Sequence, residues 1–104
     1  MKPVIVLTTV GADFDAAALA HALVELRFAA CVNIVPRIQS VYRWEGKVSE
    51  DGEQLLIVKT ADERLGPLRE ELFRRHPYSV PEFVVISIAE TSDSYGAWLL
   101  ESVT

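Results

Sequence analysis

The chain has 104 residues, half of them apolar and 24% charged, with a formal net charge of -5. That length makes one globular domain over residues 1–104, because a single core of this size is common and two halves would each be marginal. An acidic surface is repelled by phosphate, which sets nucleic acid aside as a partner, and no stretch approaches the roughly 20 apolar residues that a membrane helix needs.

The first element is the β-branched run Val4-Ile5-Val6-Leu7, bounded by Pro3 and by Thr8-Thr9-Val10-Gly11, and it reads as a buried strand. The run is too short for the core of a secretion signal, so the cytoplasm is the expected location. Asp13 or Asp15 is placed to cap the next helix, since a carboxylate there accepts the orphan backbone N–H groups. Leu19, Leu23 and Leu26 fall at i, i+4 and i+7, one stripe of a helix ending near Phe28. His21, between two alanines in mid-helix, reads as a surface residue.

Cys31 to Trp44 is a long strand interrupted by Pro36, which cannot donate to a ladder and marks a bend, a bulge or an edge. Cys31 is the only cysteine, so no disulfide forms within the chain and no oxidising compartment is required. Two turns compete next. Asp51-Gly52 has the stronger local chemistry, but Glu45-Gly46 leaves matched arms, Cys31–Trp44 and Lys47–Thr60. The hairpin is therefore placed at 45–46, with Asp51-Gly52 as a bulge.

After Thr60, Asp62 is placed to cap a second helix bearing Leu65, Leu68 and Leu72, with Gly66-Pro67 an irregularity in its early turns. His76-Pro77 ends it, because the residue before proline is pushed out of the α region. Phe83 to Ile88 is a last strand, and Asp93 or Ser94 caps a short closing helix carrying Trp98 and Leu99. The order βαββαβ plus a terminal helix predicts an α+β, ferredoxin-like antiparallel split sheet with both long helices on one face.

In such a fold the uncovered face should read polar, and period-2 alternation tests this. Leu55 and Ile57 oppose Leu56 and Val58; Val4 and Val6 oppose Ile5 and Leu7; Val84 and Ile86 oppose Phe83 and Val85. Both faces are apolar. Five or six aliphatic side chains on the open face amount to on the order of 10 kcal/mol of burial per subunit, so copies of the chain are expected to cover one another.

Several segments resemble one known family. Ala29-Ala30-Cys31-Val32-Asn33-Ile34 is similar to the opening of the second strand in the CutA divalent-cation tolerance family, and Ser40 to Val48 resembles that family's hairpin. Lys59-Thr60, His76-Pro77-Tyr78-Ser79-Val80-Pro81-Glu82 and Tyr95-Gly96-Ala97-Trp98 match its later blocks in order and spacing. The resemblance implies a homotrimer of ferredoxin-like subunits, similar in architecture to the P-II signalling proteins. It also implies a role in tolerance of divalent cations, copper above all, with no agreed enzymatic reaction. Two departures stand out: members often carry an acidic residue where this chain has Ser79, and some have additional cysteines.

The residues allow some chemistry and exclude more. Cys31 is the only soft ligand, and a thiolate suits Cu(I), whereas a cysteine opening an apolar strand also serves as a small core residue. His76 is either a metal ligand or a cap on its helix; Glu82 lies six residues on, across a Pro-bounded turn. Copper or another divalent cation at His76, Glu82 and Cys31 is one expectation, with no cofactor required. Tyr78, Pro81 and Glu82 with Tyr95 and Trp98 either line a small-ligand cleft between subunits or anchor an interface, and Trp44 near the hairpin tip docks on a neighbour. Lys59, inside an apolar strand, needs a partner, with Glu82 as the candidate. No Gly-x-Ser-x-Gly, HExxH, CxxC or Gly-rich phosphate loop is present, and no catalytic residue is assigned.

Overall fold

Burial alternates strictly along the first strand, and this decides the layering. In β1 (Pro3–Gly11), Val4, Val6, Thr8 and Val10 are buried while Ile5, Leu7 and Thr9 are half-buried. The computed structural model describes residues 1–104 as β1, α1 (Ala16–Glu25), β2 (Cys31–Trp44), β3 (Lys47–Ala61), a 3-10 turn (Asp62–Arg64), α2 (Leu65–Arg75), β4 (Val84–Ser87) and α3 (Asp93–Ser102). The four strands form one antiparallel sheet in the order β2-β3-β1-β4. This is the split βαββαβ arrangement expected from the alternation of periods.

Helices α1 and α2 cover one face. Val6 and Val10 of β1, Leu56 and Val58 of β3, Leu19 and Leu23 of α1, and Leu68 and Leu72 of α2 make the main core. Each such aliphatic side chain contributes roughly 1.5–3 kcal/mol by leaving water. Asp15, not Asp13, caps α1: its Oδ1 accepts from the Ala18 amide at 3.0 Å. The helix stops one turn earlier than its leucine stripe suggests. Leu26 is exposed, and Arg27 takes a left-handed φ of 62° that ends the helix.

The hairpin turns at Glu45-Gly46, with φ of 50° and 76°, and Trp44 pairs with Lys47. Two successive positive φ values match the right-handed twist of the strands, and glycine takes one without strain. Of the two irregularities expected in the hairpin, the one at Pro36 is the bulge and the one at Asp51-Gly52 is not. Asp51 and Gly52 pair regularly with Ser40 and Gln39, and the register shifts between Val35 and Ile38. Pro36 has no amide hydrogen to give to the ladder, so the extra residue is accommodated there.

Asp62 does not cap α2. Its Oδ1 accepts from the Lys2 amide at 2.9 Å, tying the start of the chain to the end of β3 and holding its carboxyl below the usual range. The 3-10 turn leads into α2, where Gly66 and Pro67 occupy the first turn and the missing N–H of Pro67 is an orphan donor in any case. Ser92, rather than Asp93 or Ser94, caps α3 by accepting from the Tyr95 amide.

The second sheet face carries Cys31 and Val35, Leu55 and Ile57, Ile5 and Leu7, and Val84 and Ile86, as the registers require. α3 closes only one end of it, where Leu99 and Val103 pack with Ala30 and Ala61 in a small separate core. Val84, Val85 and Ile86 remain more than 40% exposed. No helix is long and apolar enough to cross a membrane.

Candidate functional site

The outer hairpin and the loop after α2 enclose a cleft. β1 ends at Gly11 opposite Glu53, so the hairpin beyond that point runs free of the sheet. Register puts Ser40, Tyr42 and Trp44 of β2 and Asp51 and Glu53 of β3 on the face shared with Leu55 and Ile57. The segment Tyr78 to Glu82 crosses over them, leaving a cleft of ≈ 810 Å³ lined by Tyr42, Trp44, Asp51, Glu53, Tyr78 and Glu82 among others.

His76 positions the loop. Its backbone N–H donates to Leu72 at 2.8 Å and closes α2, while its side chain turns toward β1. Nε2 donates to the Thr9 carbonyl at 2.9 Å, and Nδ1 accepts from the Tyr78 amide at 3.1 Å. This network assigns the Nε2–H tautomer. The ring is buried, and burial lowers its pKa below the ordinary histidine value. The side chain therefore joins strand to loop rather than meeting the terminal carbonyls of its helix, and both ring nitrogens are engaged.

Tyr78 continues the chain of contacts. Its ring lies 4.9 Å from that of His76, and its hydroxyl donates to Glu53 at 2.6 Å. Desolvation and this bond to a carboxylate both raise the phenol pKa. The Tyr42 hydroxyl donates to Asp51, and that bond raises its pKa first of all. Glu82 is pushed upward by desolvation and by the nearby Glu53 carboxylate. The cleft thus holds three carboxylates and two phenols, with no lysine, arginine or histidine in its lining.

The structure brings Trp44, Tyr78, Pro81 and Glu82 together and leaves the other candidates apart. Tyr95 and Trp98 stack on each other at 5.4 Å on α3, and Trp98 faces a groove beside Arg27 and Ala30. Lys59 forms no ion pair with Glu82; its Nζ lies 5.8 Å from the Tyr95 ring. Cys31 is half-buried beside Lys59, with its thiol toward Asn33 at 3.7 Å. It is four β1 residues away from Thr9, where His76 is held, roughly 13 Å along the strand. Within one chain no three His, Cys, Asp or Glu side chains gather closely enough to hold a metal ion. His21 is exposed. Sequence reasoning missed Tyr42, Asp51 and Glu53, although period-2 alternation from Trp44 and Leu55 places all three on the cleft face.

A family model of the CutA1 divalent ion tolerance protein matches residues 4–102. The divalent-cation tolerance protein CutA of Thermus thermophilus is 50% identical over 98 residues, covering 94% of this chain and 95% of that protein. The chloroplastic CutA of Arabidopsis thaliana is 51% identical over 84 residues, but this chain spans only 46% of its length. Among solved structures, CutA1 from Oryza sativa superposes with a TM-score of 0.94 at 40% identity, covering 100% of this chain and 95% of that one. Fold, registers and sequence agree, and the chain belongs to the CutA1 divalent ion tolerance family.

Proposed function

We propose that this chain, as a single domain over residues 1–104, works as a homotrimer in the cytoplasmic response to divalent cations, copper among them, and catalyses no reaction. Family membership and the apolar second face support the reading: Leu55, Ile57, Ile5, Leu7, Val84 and Ile86 form a surface that α3 leaves uncovered. Because one chain gathers no three-ligand set, the ion is held by groups pooled between copies. Glu82 offers a carboxylate in the cleft and Cys31 a thiol on the open face. His76 joins them by exchanging its bond to Tyr78 or Thr9. Equilibrium dialysis with Cu(I), Cu(II) and Zn(II) tests this. At least one ion per trimer is expected, with weaker uptake in Glu82→Gln and Cys31→Ala. Less than one ion per trimer, unchanged in both variants, refutes it. Light scattering is expected to give three times 11.6 kDa.

The cleft favours a second reading, a P-II-like signalling or scaffold trimer that senses a small ligand. Its volume falls in the range of small-molecule sites, and aromatic walls with a few fixed polar groups are the usual lining of such sites. Tyr95 and Trp98 project from α3 as exposed anchors for a neighbouring copy. A thermal-shift screen separates the two readings, since a ligand selective for the folded protein raises its melting temperature; if only metal ions do so, this reading fails.

A further inference from the structure

Lys59 has no acid within its own chain to pair with, although it stands half-buried in an apolar sheet. Its Nζ lies against the Tyr95 ring at 5.8 Å, and a charge held there without a counter-charge is costly. Within the four-stranded part of the sheet it is the only Lys or Arg on the open face, beside Ile5 and Cys31. Glu53 stands further back along β3 on the same face, with Glu82 next to it in the cleft. At about 3.3 Å per residue, Lys59 and Glu53 are roughly 20 Å apart, beyond the reach of a lysine side chain. The open face is therefore positive at one end, apolar in the middle at Leu7, Leu55 and Ile57, and negative at the other.

This layout restricts how copies of the chain cover one another. Like ends laid on like ends oppose equal charges, which costs several kcal/mol, whereas the lysine end of one copy set on the acid end of the next satisfies both. Glu53 already accepts from the Tyr78 hydroxyl, and Glu82 is the acid left to receive a second donor. Burial and the Glu53 carboxylate hold Glu82 back from ionising, and an ammonium brought alongside offsets both. We propose that Lys59 of one copy pairs with Glu82 of the next, beside Glu53, so that the ion pair absent within the chain closes between chains and orders the copies head to tail. A head-to-tail contact that repeats closes into a ring. The inference rests on the trimer reading and adds the contact that sets its direction. An ion at Glu82 and this ammonium compete for one carboxylate, so the pair is the resting state of the metal-free protein.

Carbodiimide crosslinking of the chelator-treated full chain tests this, because the reagent joins an amine to a carboxylate only where the two already touch. Denaturing gels are expected to show covalent dimers and trimers, and mass spectrometry of those bands a peptide joining Lys59 to Glu82. Lys59→Arg keeps the charge but forms no such amide, so the peptide should vanish while the light-scattering mass is kept. Charge reversal gives a second readout. Glu82→Lys and Lys59→Glu should each raise the concentration at which the assembly dissociates by about tenfold or more, and the double exchange should restore it to within about threefold. Lys59 joined to an acid outside the cleft, a Lys59–Glu82 peptide confined to the monomer band, or no recovery in the double exchange overturns the proposal. A wild-type mass of 11.6 kDa removes the trimer reading and this contact with it. A mass of three chains without the Lys59–Glu82 peptide removes the contact alone. The crosslink is made on wild-type protein, so it decides the matter even where a reversed variant fails to fold.

Discussion

Replacing His76 by Phe keeps an aromatic ring of similar size at the junction of α2, β1 and the cleft loop, and removes its side-chain hydrogen bonds, a 3.3 Å contact of Nε2 with the buried Thr8 hydroxyl among them. The Thr9 carbonyl loses its donor at 2.9 Å, and the Tyr78 amide loses its acceptor at 3.1 Å. Each buried group left unpaired costs about 1–3 kcal/mol. Tyr78 is partly exposed, so water repairs some of that loss, and the added apolar ring offsets a little more. The net loss comes to about 2 kcal/mol. With a urea m-value of about 1–1.5 kcal/mol/M, the unfolding midpoint falls by roughly 1.5–2 M at matched protein concentration.

The same substitution carries a pH signature. The folded-state pKa of His76 is depressed, so between that value and the ordinary ~6.5 the unfolded chain binds a proton that the folded chain refuses. Stability is therefore full above about pH 6.5 and declines as the pH falls through the window below it. Urea titrations from about pH 7.5 down to pH 5 should show this decline in the wild type and in His21→Ala, where the altered side chain is exposed, and a much flatter profile in His76→Phe. An undiminished acid slope in His76→Phe, or a loss under about 0.5 kcal/mol, refutes the role given to the ring.

Other positions give sharper local tests. Asp15→Ala removes the α1 cap on the Ala18 amide and should cost about 1 kcal/mol by chemical denaturation. Gly46→Ala meets nothing within 4 Å, so its expected loss of about 1 kcal/mol isolates the left-handed backbone at the turn; an unchanged midpoint counts against that turn geometry. Ile57→Lys puts a charge in the middle of the open face. The proposed association then predicts a mass falling toward 11.6 kDa with the far-UV dichroism kept.

The long-range plan of the fold was legible because it rests on periodicity. Alternation in β1 and β3 separates Val4, Val6, Leu56 and Val58 from Ile5, Leu7, Leu55 and Ile57, and both sets lie where the pattern puts them. Local chemistry misled where two neighbours compete for one role. Asp13 and Asp15, or Ser92, Asp93 and Ser94, are equivalent by type, and only the path of the chain into the helix selects one. Asp51-Gly52 looks like a break, but the bulge follows the residue that lacks a donor, Pro36, on the opposite strand. The cleft was half legible. Glu82 and Tyr78 stand out in a proline-bounded motif, whereas Glu53 sits in the polar run Ser49-Glu50-Asp51-Gly52-Glu53 and resembles a solvated strand. Its burial comes from Tyr78, 25 residues away, passing over Gly11 to reach it.

The bulge at Pro36 has a kinetic corollary. Beyond it, the outer hairpin contributes to a molecule 44 Å long and 22–25 Å across, and its tip residues Val41, Trp44 and Val48 are among the most exposed apolar side chains. Amides from Val41 to Val48 are protected only by their pairing across the hairpin, so in an isolated chain they should exchange with deuterium far faster than those of Val6 or Val58 in the sheet centre. Slow exchange at the tip would mean that another body clasps it, which makes the arm a built-in reporter of assembly.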